Sequence, residues 1–70
     1  MQRNSVRSSN IKSVGYDESS AVLEVEFHST GIYQYRGVSK EIYKDFMAAS
    51  SKGRYFERHI KDRFPTTKVR

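Results

Sequence analysis

The 70-residue chain has no cysteine. Disulfide staples and thiolate metal sites are therefore excluded, and the composition suits a reducing compartment. No apolar run approaches the roughly 20 residues that a membrane-spanning helix needs. The opening stretch MQRNSVRSSN has basic residues but no apolar segment after them, so no signal peptide is read there. A cytoplasmic location without a membrane partner is expected. The four glycines match neither a phosphate-binding loop nor a dinucleotide fingerprint, and no cofactor is expected. The single proline, Pro65, falls late in the chain, where it predicts the end of a helix.

What is present fits one small domain. A chain of this length buries only roughly 60% of its unfolded surface. Such a core supplies about 3–5 kcal/mol, which leaves little for strained or buried polar machinery. The net charge is +5 and unevenly spread. Residues 1–12 carry Arg3, Arg7 and Lys12 and no acid, while residues 13–51 are net negative. Residues 52–70 set Lys52, Arg54, Arg58, Lys61, Arg63, Lys68 and Arg70 against Glu57 and Asp62. Basic ends of this kind attract polyanions.

Hydrophobic periodicity gives the fold class. In AVLEVEFH, Leu23, Val25 and Phe27 alternate with Glu24, Glu26 and His28, a half-buried strand with an acidic outer face. IKSVGYD precedes it, with Val14 and Tyr16 on one face, and ends in the polar turn of residues 17–20. IYQYR follows the turn HSTG and is rich in strand-forming residues. Three short strands with brief turns predict an antiparallel meander.

The period then changes. Ser39 is placed to cap a helix, with Val38 and Tyr43 spaced for a hydrophobic staple. Ile42, Phe46 and Ala49 form an apolar stripe with Met47 beside it. SSKG interrupts, and Phe56, Ile60 and Phe64 form a second stripe that Pro65 closes. The expected fold is α+β, in the order β-β-β-α-α, with both helices on one face of a three-stranded sheet. Residues 1–8 are read as a flexible arm, 9–65 as the domain and 66–70 as a basic tail.

Catalysis has little support. His28 shares an outer strand face with Glu24 and Glu26, but ligands spaced along one strand rarely converge on an ion. The serines cluster where caps and turns explain them. A non-enzymatic protein with no metal site is expected. Arg54, Arg58 and Lys61 recur at i, i+4, i+7, a row that can follow a phosphate backbone. Glu57 and Asp62 interrupt the row and offer ordinary surface ion pairs instead. Tyr33 and Tyr35 share one strand face, opposite Ile32, Gln34 and Arg36. The polar pair Gln34 and Arg36 favours solvent, which turns the tyrosines toward the helices and leaves Ile32 exposed. The other reading makes the two rings a stacking platform for bases.

The segments SSNIKSVGYD, LEVEF and GIYQYRGVSKEIYKDFMAASSKGRYFERHIKDRF together resemble the KTSC domain. The likeness spans about residues 5–64. It rests on Ser9 with Ile11, VGYD at 14–17, LEVEF at 23–27, Tyr33-Gln34-Tyr35, and YKDFMAASSKGRYFERHI at 43–60. The resemblance implies a module found as a stand-alone bacterial or phage protein and at the C-terminus of some lysyl-tRNA synthetases. Through that second setting it implies RNA binding. It implies no catalytic residue.

The leading expectation is therefore a small non-catalytic nucleic-acid-binding module, with RNA ahead of DNA. Arg54, Arg58, Lys61 and Arg63 would contact phosphates, with Arg36, Tyr33 and Tyr35 nearby. The alternative is a protein-interaction adaptor, using a sheet edge or the acidic face of Glu24 and Glu26. A further reading is an oligomer holding a small anion between basic helices. A monomer or a weak homo-oligomer is expected.

Overall fold

The computed structural model describes residues 1–70 and has seven elements. They are β1 (Asn4–Ser5), β2 (Ile11–Asp17), β3 (Val22–Phe27), β4 (Gly31–Arg36), α1 (Lys40–Ala48), α2 (Lys52–His59) and β5 (Thr66–Lys68). The strands form one antiparallel sheet in sequence order. The α+β class and the central meander are as expected.

The strand count is corrected from three to five. The added strands come from the segments read as an arm and a tail, and they form the two edges of the sheet. Asn4 and Ser5 pair with Val14 and Ser13. Thr66, Thr67 and Lys68 pair with Tyr35, Gln34 and Tyr33. All five edge residues are exposed. Backbone pairing rather than buried apolar side chains holds them in the sheet, so they leave no apolar alternation to detect.

Register settles which side chains face the helices. Val14 and Tyr16 lie opposite Val25 and Leu23, which lie opposite Tyr33 and Tyr35. Between Ile11 and Ser13 the register shifts, so that Lys12 is the extra residue of a bulge. The bulge returns Ile11 to the helix side opposite Phe27, although it lies three positions from Val14.

Ser39 caps α1 as expected, its Oγ accepting from the Ile42 N–H at 3.2 Å. Ser51 caps α2 in the same way, accepting from the Arg54 N–H at 3.3 Å. Gly53 lies in the first turn of α2. Pro65 does not end that helix. The Ile60 and Lys61 N–H groups both donate to the Phe56 carbonyl, at 3.0 and 2.8 Å, and Asp62 takes a φ of 61°. The chain has turned before the proline is reached.

Phe46 from α1 and Phe56 with Ile60 from the α2 region join the sheet residues Ile11, Val14, Leu23, Val25 and Tyr35, and Val38, in one core. Both helices thus cover the same face of the sheet. Tyr16 stacks on Tyr43 of α1, centroids 4.7 Å apart, and its hydroxyl donates to the Val38 carbonyl at 2.6 Å.

Candidate nucleic-acid interface

The outer face of the sheet is not a free acidic surface. Glu24 is only 5% exposed. Its carboxylate accepts from Gln34 Nε2 at 2.8 Å and from the Arg3 guanidinium. Arg3 also donates to Ser13 Oγ at 3.0 Å and lies 3.8 Å from Glu26, which accepts from the Ser13 hydroxyl at 2.9 Å. Burial alone would raise the Glu24 carboxyl. The Gln34 and Arg3 hydrogen bonds and the Arg3 charge outweigh it and hold the group below the ordinary value. The two strand acids are therefore internal partners. The sequence pattern placed them on the outer face correctly but carried no sign of Arg3 arriving above them.

Ile32 is a second correction on that face. It is 7% exposed rather than open. The chain after β5 continues alongside it: the Ile32 N–H donates to the Arg70 carbonyl at 3.0 Å, and the Val69 N–H donates back at 2.7 Å.

The tyrosine pair answers to the parity argument. Tyr35 is 5% exposed and meets Phe56 edge to face, centroids 5.5 Å apart. Burial pushes its hydroxyl up to about 12. A ring so enclosed offers no face to a base, and Tyr35 is withdrawn as a stacking residue. Tyr33 is half-buried against the core, edge to face with Phe27 at 5.8 Å, and the Lys68 ammonium lies 5.9 Å from its ring centre. Tyr33, Tyr35 and Lys61 line a common cleft of about 420 Å³ beneath β5.

The basic row is real but shorter than its spacing implied. Arg54 and Arg58 lie one turn apart on α2, both exposed and neither in an ion pair. Lys61 follows the end of the helix and lies 3.6 Å from Glu57. Arg63 is exposed in the turn beyond, next to the exposed Asp62. Arg36 does not join this group. It lies on the outer face, where it donates to Thr67 Oγ1 at 2.7 Å. Arg54 and Arg58 thus lie along α2, Lys61 and Arg63 in the turns that follow it, and Arg36 apart from them on the outer face of the sheet.

No group of three His, Asp or Glu side chains converges to hold a metal ion. His28 Nε2 is 3.2 Å from the Ser8 carbonyl, and His59 leans over Tyr55 with centroids 4.5 Å apart. No helix is long and apolar enough to cross a membrane.

Taken together, a five-stranded antiparallel sheet with two short capped helices on one face defines a small α+β module. The sequence matches the KTSC domain over residues 7–64, and the chain belongs to that family. A KTSC domain protein from Yersinia pestis, solved by crystallography, is 45% identical and superposes with a TM-score of 0.97, covering 99% of this chain and 97% of its own. An uncharacterized protein from Stutzerimonas stutzeri is 39% identical over 61 residues, covering 87% of this chain and 86% of that protein. A lysine–tRNA ligase from Nostoc punctiforme is 36% identical over 54 residues, which is 77% of this chain and 10% of the ligase.

Proposed function

We propose that this chain is a non-catalytic nucleic-acid-binding module that takes RNA on the basic side of α2. The observation that carries the reading is the free pair Arg54 and Arg58, exposed one turn apart without a carboxylate partner. Much of the negative charge of the chain is spent elsewhere. Glu24 and Glu26 hold Arg3, Glu18 lies 3.6 Å from Lys40, and the Asp17 carboxylate accepts from the Ser19 and Ser20 hydroxyls at 2.8 Å. Lys61 and Arg63 extend the positive surface past the helix. A cation without an internal partner releases phosphate counterions at full effect. The likeness to part of a lysine–tRNA ligase supports RNA over DNA.

The adaptor alternative draws little support from the acidic face, since Glu24 and Glu26 already have partners. Its remaining support is the pair of edge strands, of two and three residues. Edges that short give a partner strand little to pair with.

The deciding experiment is an anisotropy titration with labelled single-stranded RNA, structured RNA and duplex DNA at two salt concentrations. The expected result is salt-dependent binding of RNA that Arg58→Glu weakens across all sequences. Binding that ignores salt, or survives charge reversal at both Arg54 and Arg58, refutes the reading.

A further inference from the structure

Two clefts adjoin where the β1–β2 loop, the β3–β4 turn and the start of α2 come together. One, of about 340 Å³, has an apolar floor of Ile11, Phe27 and Phe56 and a rim that includes Asn10, Ser29 and Thr30. The other, of about 420 Å³, has no apolar lining and is edged by Arg7, Lys52 and Arg54. Ser9, Asn10, Gly53 and Glu57 line both, so the apolar compartment passes directly into the cationic one.

This division matches the parts of a nucleotide. A base presents an apolar face with donors and acceptors on its edge, and a phosphate presents negative charge. Phe27 and Phe56 meet edge to face at 5.2 Å beneath the first compartment, where Phe56 is buried and Phe27 only part-buried. The rim amide and hydroxyls can meet the edge of a base. In the second compartment Arg7 and Arg54 are exposed and form no ion pair. Glu57 lines the same compartment, a carboxylate able to accept from ribose hydroxyls. Its only ion-pair partner is Lys61 at 3.6 Å, and both side chains are more than half exposed, a weak and exchangeable contact.

We infer that this groove seats one unstacked nucleotide of single-stranded RNA, with its base against Phe27 and its phosphate between Arg7 and Arg54. The inference rests on the nucleic-acid reading above and adds the place where a base is gripped. Arg54 belongs both to the groove and to the α2 pair, so a strand leaving the groove passes Arg58 next. The aromatic contact sought in the Tyr33–Tyr35 pair falls instead to Phe27, on the neighbouring strand.

Gly53 allows a clean test. Its φ is not in the left-handed region, and an added Cβ would meet only Asn10 Nδ2, at an ordinary 3.6 Å. Gly53→Leu should therefore fold, with the side chain filling the groove. Arg7→Glu removes the phosphate contact without touching α2. The readout is anisotropy of a labelled single-stranded RNA with the full chain, alongside melting temperatures and a separate titration with adenosine monophosphate followed by amide resonances.

The expected result is that each variant melts like the parent chain but binds the RNA about tenfold more weakly, in line with the loss of one base–aromatic or charged phosphate contact. The mononucleotide should shift the Asn10, His28 and Gly53 amides. If Arg58→Glu abolishes binding while Arg7→Glu and Gly53→Leu bind as the parent does, the groove inference fails and the α2 reading stands. If the parent chain binds no RNA at either salt, both fail. Binding of the mononucleotide without the RNA overturns the assignment to a strand.

Discussion

The Arg3 guanidinium reaches across β2 to close on the Glu24 carboxylate of β3. It can do so because Gly15 lies between them: Gly15 is the register partner of Glu24, and a Cβ there would meet the Gln2 carbonyl oxygen at 2.6 Å and Arg3 Cγ at 3.0 Å. A residue outside any strand, a bare position in the intervening strand β2 and a buried acid thus form one unit. Arg3→Ala would leave the Glu24 charge with Gln34 alone, and stability should fall by about 1–3 kcal/mol, the cost of a buried group that loses its charged partner. Gly15→Ala should lower stability by a different route, by pushing the Gln2–Arg3 backbone off the sheet. Urea melts of each single variant and of the Gly15→Ala/Arg3→Ala pair check this. The pair should cost less than the sum, because both changes break the same contact.

Acid should destabilise the domain through Glu24. Its carboxyl lies below the ordinary value when folded, so the unfolded chain takes up the proton first as pH falls. The stabilisation is complete above about pH 4.3, the ordinary glutamate value, and is lost as pH drops through the folded value. Glu24→Gln should lower stability at neutral pH and flatten the acid limb of a pH–melting curve. An unchanged acid limb would place the titration elsewhere.

Alkali should act through Tyr35. Its hydroxyl is raised to about 12 by burial, so the unfolded chain loses this proton near 10 while the folded chain keeps it. Stability is unaffected below about pH 10 and falls as pH rises toward 12. Tyr35→Phe keeps the ring against Phe56 and removes the ionisation. The variant should melt as the parent does at neutral pH and better above pH 10, where tyrosinate absorbance follows the transition.

RNA binding should lose salt sensitivity in steps. Each phosphate contact contributes about 0.7 to the slope of log affinity against log salt for a single strand. Arg54→Ala and Arg58→Ala should each lower the slope by about that amount, whereas Arg36→Ala, on the opposite face of the sheet, should leave it alone. Equal slopes in all three variants would detach α2 from the binding surface.

Phe46 carries much of the core and has no exposed surface. Phe46→Ala should cost about 3–5 kcal/mol, close to the whole stability of a domain this small. The variant should lose its cooperative thermal transition, while Phe46→Leu should keep one at a lower temperature.

The sequence by itself determined the alternating strand β3, the parity of Tyr33 and Tyr35, the Ser39 cap and the apolar stripe of α1, whereas the second stripe ran past the end of α2, which holds only Phe56 of its three residues. Each is a local pattern, written in residues within a few positions of one another, because strand and helix periods repeat over such spans. What only the tertiary structure decided depends on distant segments. The polar residues 4–5 and 66–68 became edge strands by backbone pairing that needs no side-chain signature. Arg3 found Glu24 from 21 positions away, and residues 69–70 covered the main chain at Ile32. The groove draws its lining from residues 7–11, 27–30 and 50–57, with Lys61, and no spacing along the chain links them. A charge repeat marks cations that share a helix face, but only folding decides which of them keep a carboxylate partner: Lys61 took Glu57, and Arg54 and Arg58 took none.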